Sequence, residues 1–233
     1  KHKRPKGIFL QGDTSLNIKN NECDMGNEHT KLMLDILYGD TTIKEYKSFN
    51  GLAKNGFDVV SSQFTLHYYL KDKLTFDGFL KNVYQNINKG GYFIATFYNG
   101  NKLYEMLEDK EVIEYKSHDG ELIYKIEKKI VSEDFTYNKG DTSNMFGNSI
   151  DVYMDSIGTT NEEYLVNLDF LVDACKEHGL ELVTPKPDSK YSSIFKKECL
   201  LTDGIGSFEN VIKHLSSITK SDKIYQEIYK EAD

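Results

Sequence analysis

Apolar positions in this chain recur with two different spacings, and the changes between them mark out its elements. Phe57-Asp58-Val59-Val60 is a short β-branched run of the kind that makes a buried parallel strand. Downstream, Leu74, Phe79, Leu80, Val83, Tyr84 and Ile87 fall on one helical face, so Leu74–Ile87 is expected to be a helix. Asn88-Lys89-Gly90-Gly91 should stop it, as glycine does at C-terminal caps. Tyr92–Phe97 then reads as a second strand, and strand, helix, turn, strand is a parallel crossover of right-handed sense. Upstream, Ile8–Asp13 reads as a short strand closed by Gly12 and an acid, with Thr14-Ser15 opening a turn. The segment 17–27 is polar and loop-like. Glu28–Tyr38 carries Leu32, Met33, Ile36 and Leu37 at helical spacing. The connection 40–55 is polar, with a short helix expected through Leu52 and Ala53. After Asn99-Gly100 a helix is expected over Asn101–Leu107.

Beyond Glu108 the pattern becomes two-sided. Tyr124–Val131 and Ser149–Met154 read as strands separated by a loop rich in Gly, Asn and Asp, an antiparallel lid over about 108–160 with Lys125, Lys128 and Lys129 on its exposed side. Helix Leu168–His178 should follow, ended by Gly179, then a strand over Leu180–Thr184 and a loop opened by Pro185 and Pro187. Phe208–Ser217 and Ile224–Ala232 read as helices, with Gly204 and Gly206 between elements. The whole is one α/β domain over 1–233 with an inserted lid.

Composition narrows the class. A chain of 233 residues can bury a sizeable core. No stretch approaches the roughly 18 apolar residues that span a bilayer, and Gly7–Leu10 behind the basic start is too short for a signal-peptide core. Cys23, Cys175 and Cys199 are scattered and odd in number, which argues against a disulfide scaffold or zinc site and suits a reducing compartment. A net charge of −8 argues against broad binding to nucleic-acid phosphates but leaves room for one nucleotide at an RNA end. P-loop, HExxH, GxSxG and EF-hand patterns do not occur, and no metal site is expected.

Candidate chemistry concentrates in Phe57–Leu70, FDVVSSQFTLHYYL. Ser61, Ser62 and Gln63 place hydroxyls and an amide where a purely structural strand would continue apolar, and Phe64, His67, Tyr68 and Tyr69 follow at once. Ligands of open α/β sheets sit beyond the carboxyl ends of the strands. From spacing alone two readings stand: a site for a flat, hydrogen-bonding ligand, or a strand entering a helix with its aromatics and His67 in the core. Asp13 likewise either accepts from a ligand's amino group or caps a turn. The lysines of the lid are either a solvated face or a phosphate grip.

The pattern Phe57-Asp58, Ser61-Ser62-Gln63-Phe64, His67-Tyr68, followed downstream by Gly90-Gly91-Tyr92-Phe93-Ile94-Ala95-Thr96, resembles messenger-RNA cap (guanine-N7) methyltransferases. Glu163-Tyr164-Leu165-Val166 looks like that family's EFLV signature, and the overall style is most like the methyltransferase domains of large DNA viruses' capping enzymes. The resemblance spans about Ile8 to Val183. It implies a class I (Rossmann-like) S-adenosylmethionine-dependent methyltransferase sheet acting on 5′-capped RNA. Asp13 and Thr14 would read the cofactor's adenine, and Ser62 and Gln63 would lie at the cofactor, Gln63 at its methionine end. Phe64, His67 and Tyr68 would line the cap-guanine pocket, with Glu163 on the guanine edge. No catalytic acid or base is implied. Triphosphatase and guanylyltransferase domains of the same polypeptide and a stimulatory subunit are the expected partners, and the setting would be cytoplasmic or nuclear, or a viral factory or virion. The family's glycine-rich D-x-G-C-G-x-G loop has no counterpart before Ile8, so the expectation is a chain that begins after the first two strands, as a fragment or with a partner supplying them. The family's closing strand with its cap-contacting Tyr is not evident, since Tyr225 and Tyr229 sit in a helical pattern. Competing readings are a methyltransferase for another small aromatic substrate and a non-catalytic cap- or partner-binding module.

Overall fold

The computed structural model describes residues 7–183, 200–202, 205 and 206. The chain divides after Leu180 into two compact units.

The first unit opens with an irregular segment that belongs to no sheet, rather than the strand expected over Ile8–Asp13. A strand needs a neighbour to satisfy its ladder, and none of the described strands runs alongside it. Phe9 stands 94% exposed. Helix α1 (Glu28–Tyr38) starts where Asn27 accepts from the N–H groups of His29 and Thr30, and stops at Gly39, whose φ of +87° suits glycine. The helix expected through Leu52 and Ala53 does not form. The connection holds one 3-10 turn at Lys44–Tyr46, and the N–H groups of Gly51 and Ala53 donate instead to the Ile36 and Leu37 carbonyls of α1.

Strand β1 (Phe57–Gln63), a 3-10 turn (Leu66–Lys71), helix α2 (Lys73–Asn86) and strand β2 (Ile87–Thr96) form the crossover, and β1 and β2 pair in parallel. The helix ends within a residue of the expected Ile87, but no turn separates it from the next strand: β2 begins at once because Ile87 already pairs with Phe57. The two glycines lie inside β2, where the register slips between the Ile87 and Tyr92 pairings. Gly90 adopts φ +82°, and a Cβ at Gly91 would sit 3.0 Å from the Asp58 carbonyl oxygen.

Helix α3 (Gly100–Met106) leads into an antiparallel sheet of four strands, not two: β3 (Val112–Lys116), β4 (Leu122–Lys129), β5 (Ser149–Met154) and β6 (Thr160–Tyr164), in that order. The two strands missed from the pattern are the edges, short and charged as edges tend to be. The lysines of β4 do not share a face. Lys125 and Lys129 flank Glu127 on the outer face, at 2.7 and 2.8 Å, while Lys128 points the other way and donates to the Glu108 carbonyl. Helix α4 (Leu168–Glu177) is capped by Asn167. One core, including Leu66, Leu70, Phe76, Leu80, Ile150 and Leu165, joins α2 and the 3-10 turn to the inner face of the four-stranded sheet. No strand forms over 180–183, and Thr184 lies outside the described residues.

In the second unit, β7 (Leu200–Thr202) pairs with β8 (Ile205–Gly206), which puts Gly206 in a strand rather than between elements. The helices expected over 208–217 and 224–232, with Tyr225 and Tyr229, and Pro185, Pro187, Cys199 and Gly204 lie outside the described residues. No helix among the described residues is long and apolar enough to cross a membrane.

Candidate active site

The carboxyl ends of β1 and β2 lie side by side, Gln63 opposite Thr96. Phe64 then turns the chain with φ +51°, an uncommon conformation for a bulky residue. It is held there by its N–H, which donates to the Thr96 carbonyl at 2.9 Å and to the Thr96 hydroxyl at 3.1 Å. The 3-10 turn that follows buries Leu66, His67 and Leu70 while leaving Phe64 and Tyr68 half exposed.

His67 is 3% exposed and Glu163, brought in from β6, is 6% exposed. Their Nε2 and Oε2 atoms stand 3.4 Å apart. That distance alone would pass for an ion pair, but neither atom has a hydrogen-bond partner, and His67 Nδ1 has none either. Burial without compensating bonds disfavours both charged forms. It pushes the imidazole down to about 4 and the carboxyl up to about 7. At mildly acid pH both groups are therefore neutral. The Tyr68 ring meets His67 edge-on at 4.3 Å, and the Tyr98 ring lies near-parallel to it at 6.0 Å. Burial, and secondarily the Glu163 charge, raise both phenols above their usual value. Tyr98 was not picked out from the sequence. Its signal was positional: it follows Thr96 by two residues, at the same sheet end as Phe64.

Along β1 a cavity of about 580 Å³ opens between that strand, α1 and α2. Thr14 and Ser62 are on its wall among apolar side chains such as Leu34 and Val60. Thr14 and Tyr69 join hydroxyls, and Ser62 shares a hydrogen bond with Thr65 at 2.8 Å. Asp13 closes its own turn, accepting from the N–H and hydroxyl of Ser15. Gln63 is held on both sides: its amide donates to Ser61 at 2.9 Å and its carbonyl accepts from Thr96 at 2.9 Å. Thus His67, Tyr68 and Glu163 come together at one place, while Thr14 and Ser62 line the cavity.

A family model described as the mRNA (guanine-N(7))-methyltransferase domain matches residues 20–230. The chain belongs to that family. Its parallel pair and four-stranded antiparallel sheet are consistent with a class I methyltransferase fold. Among curated proteins it is similar to a "Probable mRNA-capping enzyme" of Acanthamoeba polyphaga mimivirus, 36% identical over 139 residues, 57% of this chain and 11% of that protein. It is similar to the mRNA cap guanine-N(7) methyltransferase of Saccharomyces cerevisiae, 28% identical over 146 residues, 58% of this chain and 30% of that one. The mRNA-capping enzyme of African swine fever virus is 25% identical over 184 residues, 77% of this chain and 19% of that protein. The chain therefore spans well under half the length of these relatives.

Proposed function

We propose that this domain methylates N7 of the guanine that caps messenger RNA, with S-adenosylmethionine as methyl donor. The observation that carries the reading is the buried, unpartnered pair of His67 and Glu163. Two polar groups buried without a protein partner are costly, and a guanine edge answers both. Its N1–H and N2–H donate to the Glu163 carboxylate, and its O6 accepts from the neutral His67 ring. Phe64 and Tyr68 flank the base, a kind of contact worth about 1–3 kcal/mol per base.

Guanine N7 already presents a lone pair, so the reaction calls for no general base. What the chain must do is hold N7 in line and keep water out. Methylation leaves a positive charge on the purine, which an ionised Glu163 offsets. When bound, S-adenosylmethionine supplies the activated methyl. The cavity beside β1 has the size of a small-molecule site, and Thr14 and Ser62 on its wall fit a ribose or amino-acid end. Asp13 and Gln63 are nearby, with their local bonds to Ser15 and Thr96 orienting them. Similarity to proteins named as mRNA-capping enzymes supports placing the domain with triphosphatase and guanylyltransferase domains in one polypeptide, with a stimulatory subunit as a further partner.

The test is methyl transfer from labelled S-adenosylmethionine to GpppA-capped RNA, by the chain as it stands and within its full open reading frame. Formation of 7-methylguanosine by either supports the proposal. Tight cap binding with no transfer by either would favour a binding module, and neither binding nor transfer would overturn the reading.

A further inference from the structure

We propose that a row of side chains on the inner face of the four-stranded sheet stacks the first nucleotides of the RNA as they leave the guanine pocket. The inference rests on the cap reading and extends it to a second subsite. Residues directly opposite one another in an antiparallel pair share a face, as do alternate residues along a strand. Glu163 is opposite Ile150, so Val152 and Met154 lie on its face. Tyr124 is opposite Met154, and Tyr115 is opposite Tyr124. The rings of Tyr115 and Tyr124 stack at 5.8 Å and 22°. The pocket joins this row through Tyr98, whose ring lies over His67 and whose hydroxyl donates to the Met154 sulfur at 3.6 Å.

The succession His67, Tyr98, Met154, Tyr124, Tyr115 is thus linked at every step by a ring contact, a hydrogen bond or cross-strand pairing. Its inner end is buried and its outer end is open: Met154 and Ile113 pack on the core, but Tyr115 is 47% exposed. From the Glu163 column to Met154 is about 13 Å along the strands, and Tyr115 is about 10 Å further across them. A triphosphate bridge and one or two nucleotides cover that span. A cross-strand tyrosine pair also steadies a hairpin, but that role requires no continuity with a buried polar pocket. Stacking, rather than phosphate attraction, is the binding force. Lys116 is paired with Glu114 at 2.9 Å, Lys125 is paired with Glu127 on the opposite face, Lys128 on the row's own face donates to the Glu108 carbonyl, and the chain is acidic overall. Aromatic stacking tolerates any base, so no sequence preference should appear.

The experiment titrates the whole chain with the GpppA dinucleotide and with a GpppA-capped decaribonucleotide by calorimetry. The decamer should bind about tenfold tighter, with a shallow salt dependence. Tyr115→Leu/Tyr124→Leu should erase that advantage and leave dinucleotide affinity unchanged, and Tyr115→Phe/Tyr124→Phe should keep it. Equal affinity of the unsubstituted chain for the two ligands would overturn the row without touching the cap reading. So would an advantage that survives the double leucine substitution. Failure to bind either ligand would overturn the cap reading and this inference together.

Discussion

Replacing Glu163 by Gln should stabilise the folded chain, and increasingly so as pH rises. The carboxyl is buried with no hydrogen bond to Oε2, and burial lifts it from its ordinary 4.5 to about 7. In the unfolded chain the same group ionises near its ordinary value. Between these two points the native state holds a proton that the unfolded state has released, so stability falls as pH rises. At about 1.4 kcal/mol for each tenfold change in proton affinity, the full cost is about 3 kcal/mol. It is absent below pH 4.5 and complete once pH passes 7. A glutamine of the same shape carries no such penalty.

The measurement is urea unfolding of both proteins at closely spaced pH values from 4.5 to 8, with the slope against urea held as a check on the two states. The gap between Glu163→Gln and the unsubstituted chain should be small at pH 4.5, open through pH 5–7 and level off near 3 kcal/mol. His67 does not confound the comparison. Its imidazole, held down to about 4, costs stability only as pH falls below its ordinary 6.5, and it is present in both proteins. A gap that stays constant across the range would show that Glu163 is not ionised against its surroundings, and the account of the pocket would fail with it. The same substitution should abolish guanine binding, which separates what the site needs from what the fold prefers.

Three further outcomes follow. Affinity for GpppA should rise as pH increases toward 7 and then level, because guanine donors require the ionised Glu163, with about a tenfold loss per pH unit below that point; a flat calorimetric profile from pH 5 to 8 would refute this. His67→Ala should weaken GpppA binding roughly tenfold, the scale of one lost hydrogen bond in a dry site, while S-adenosylmethionine affinity stays put; equal losses in both would place His67 in the scaffold. Gly100→Ala should cost about 3 kcal/mol in a thermal melt, since its Cβ would lie 2.4 Å from the Val166 carbonyl oxygen, backbone that cannot swing aside.

How much of this was legible in the sequence depended on how local each feature is. Helices α1, α2 and α4 were readable within a residue or two because their apolar faces and asparagine or aspartate caps are local. Strands were legible where their own apolar pattern is strong, whether central or, like β1, at a sheet edge. β1, β4 and β5 carry strong patterns, whereas β3 and β6 take their identity from a neighbour they pair with, and Ile8–Asp13 has a strand-like pattern but no such neighbour among the described strands. The start of β2 was misjudged for the same reason: pairing of Ile87 with Phe57 begins the strand ahead of a glycine signal three residues later.

The site divides along the same line. The change from apolar to polar after Val60 marked a candidate strand end, yet spacing could not separate a ligand pocket from a satisfied core histidine. The absence of hydrogen bonds at His67 and Glu163 favours the pocket, and it is a property of a 3-10 turn and a strand far apart in the chain that no local pattern encodes. Only the family resemblance linked Glu163 to His67 before the fold did. Tyr98 escaped even that, although the parallel register makes it a necessary neighbour: whatever follows Thr96 must face the crevice that follows Gln63. A parallel crossover therefore specifies its site twice, once at each strand end, and the second end deserves the same chemical reading as the first.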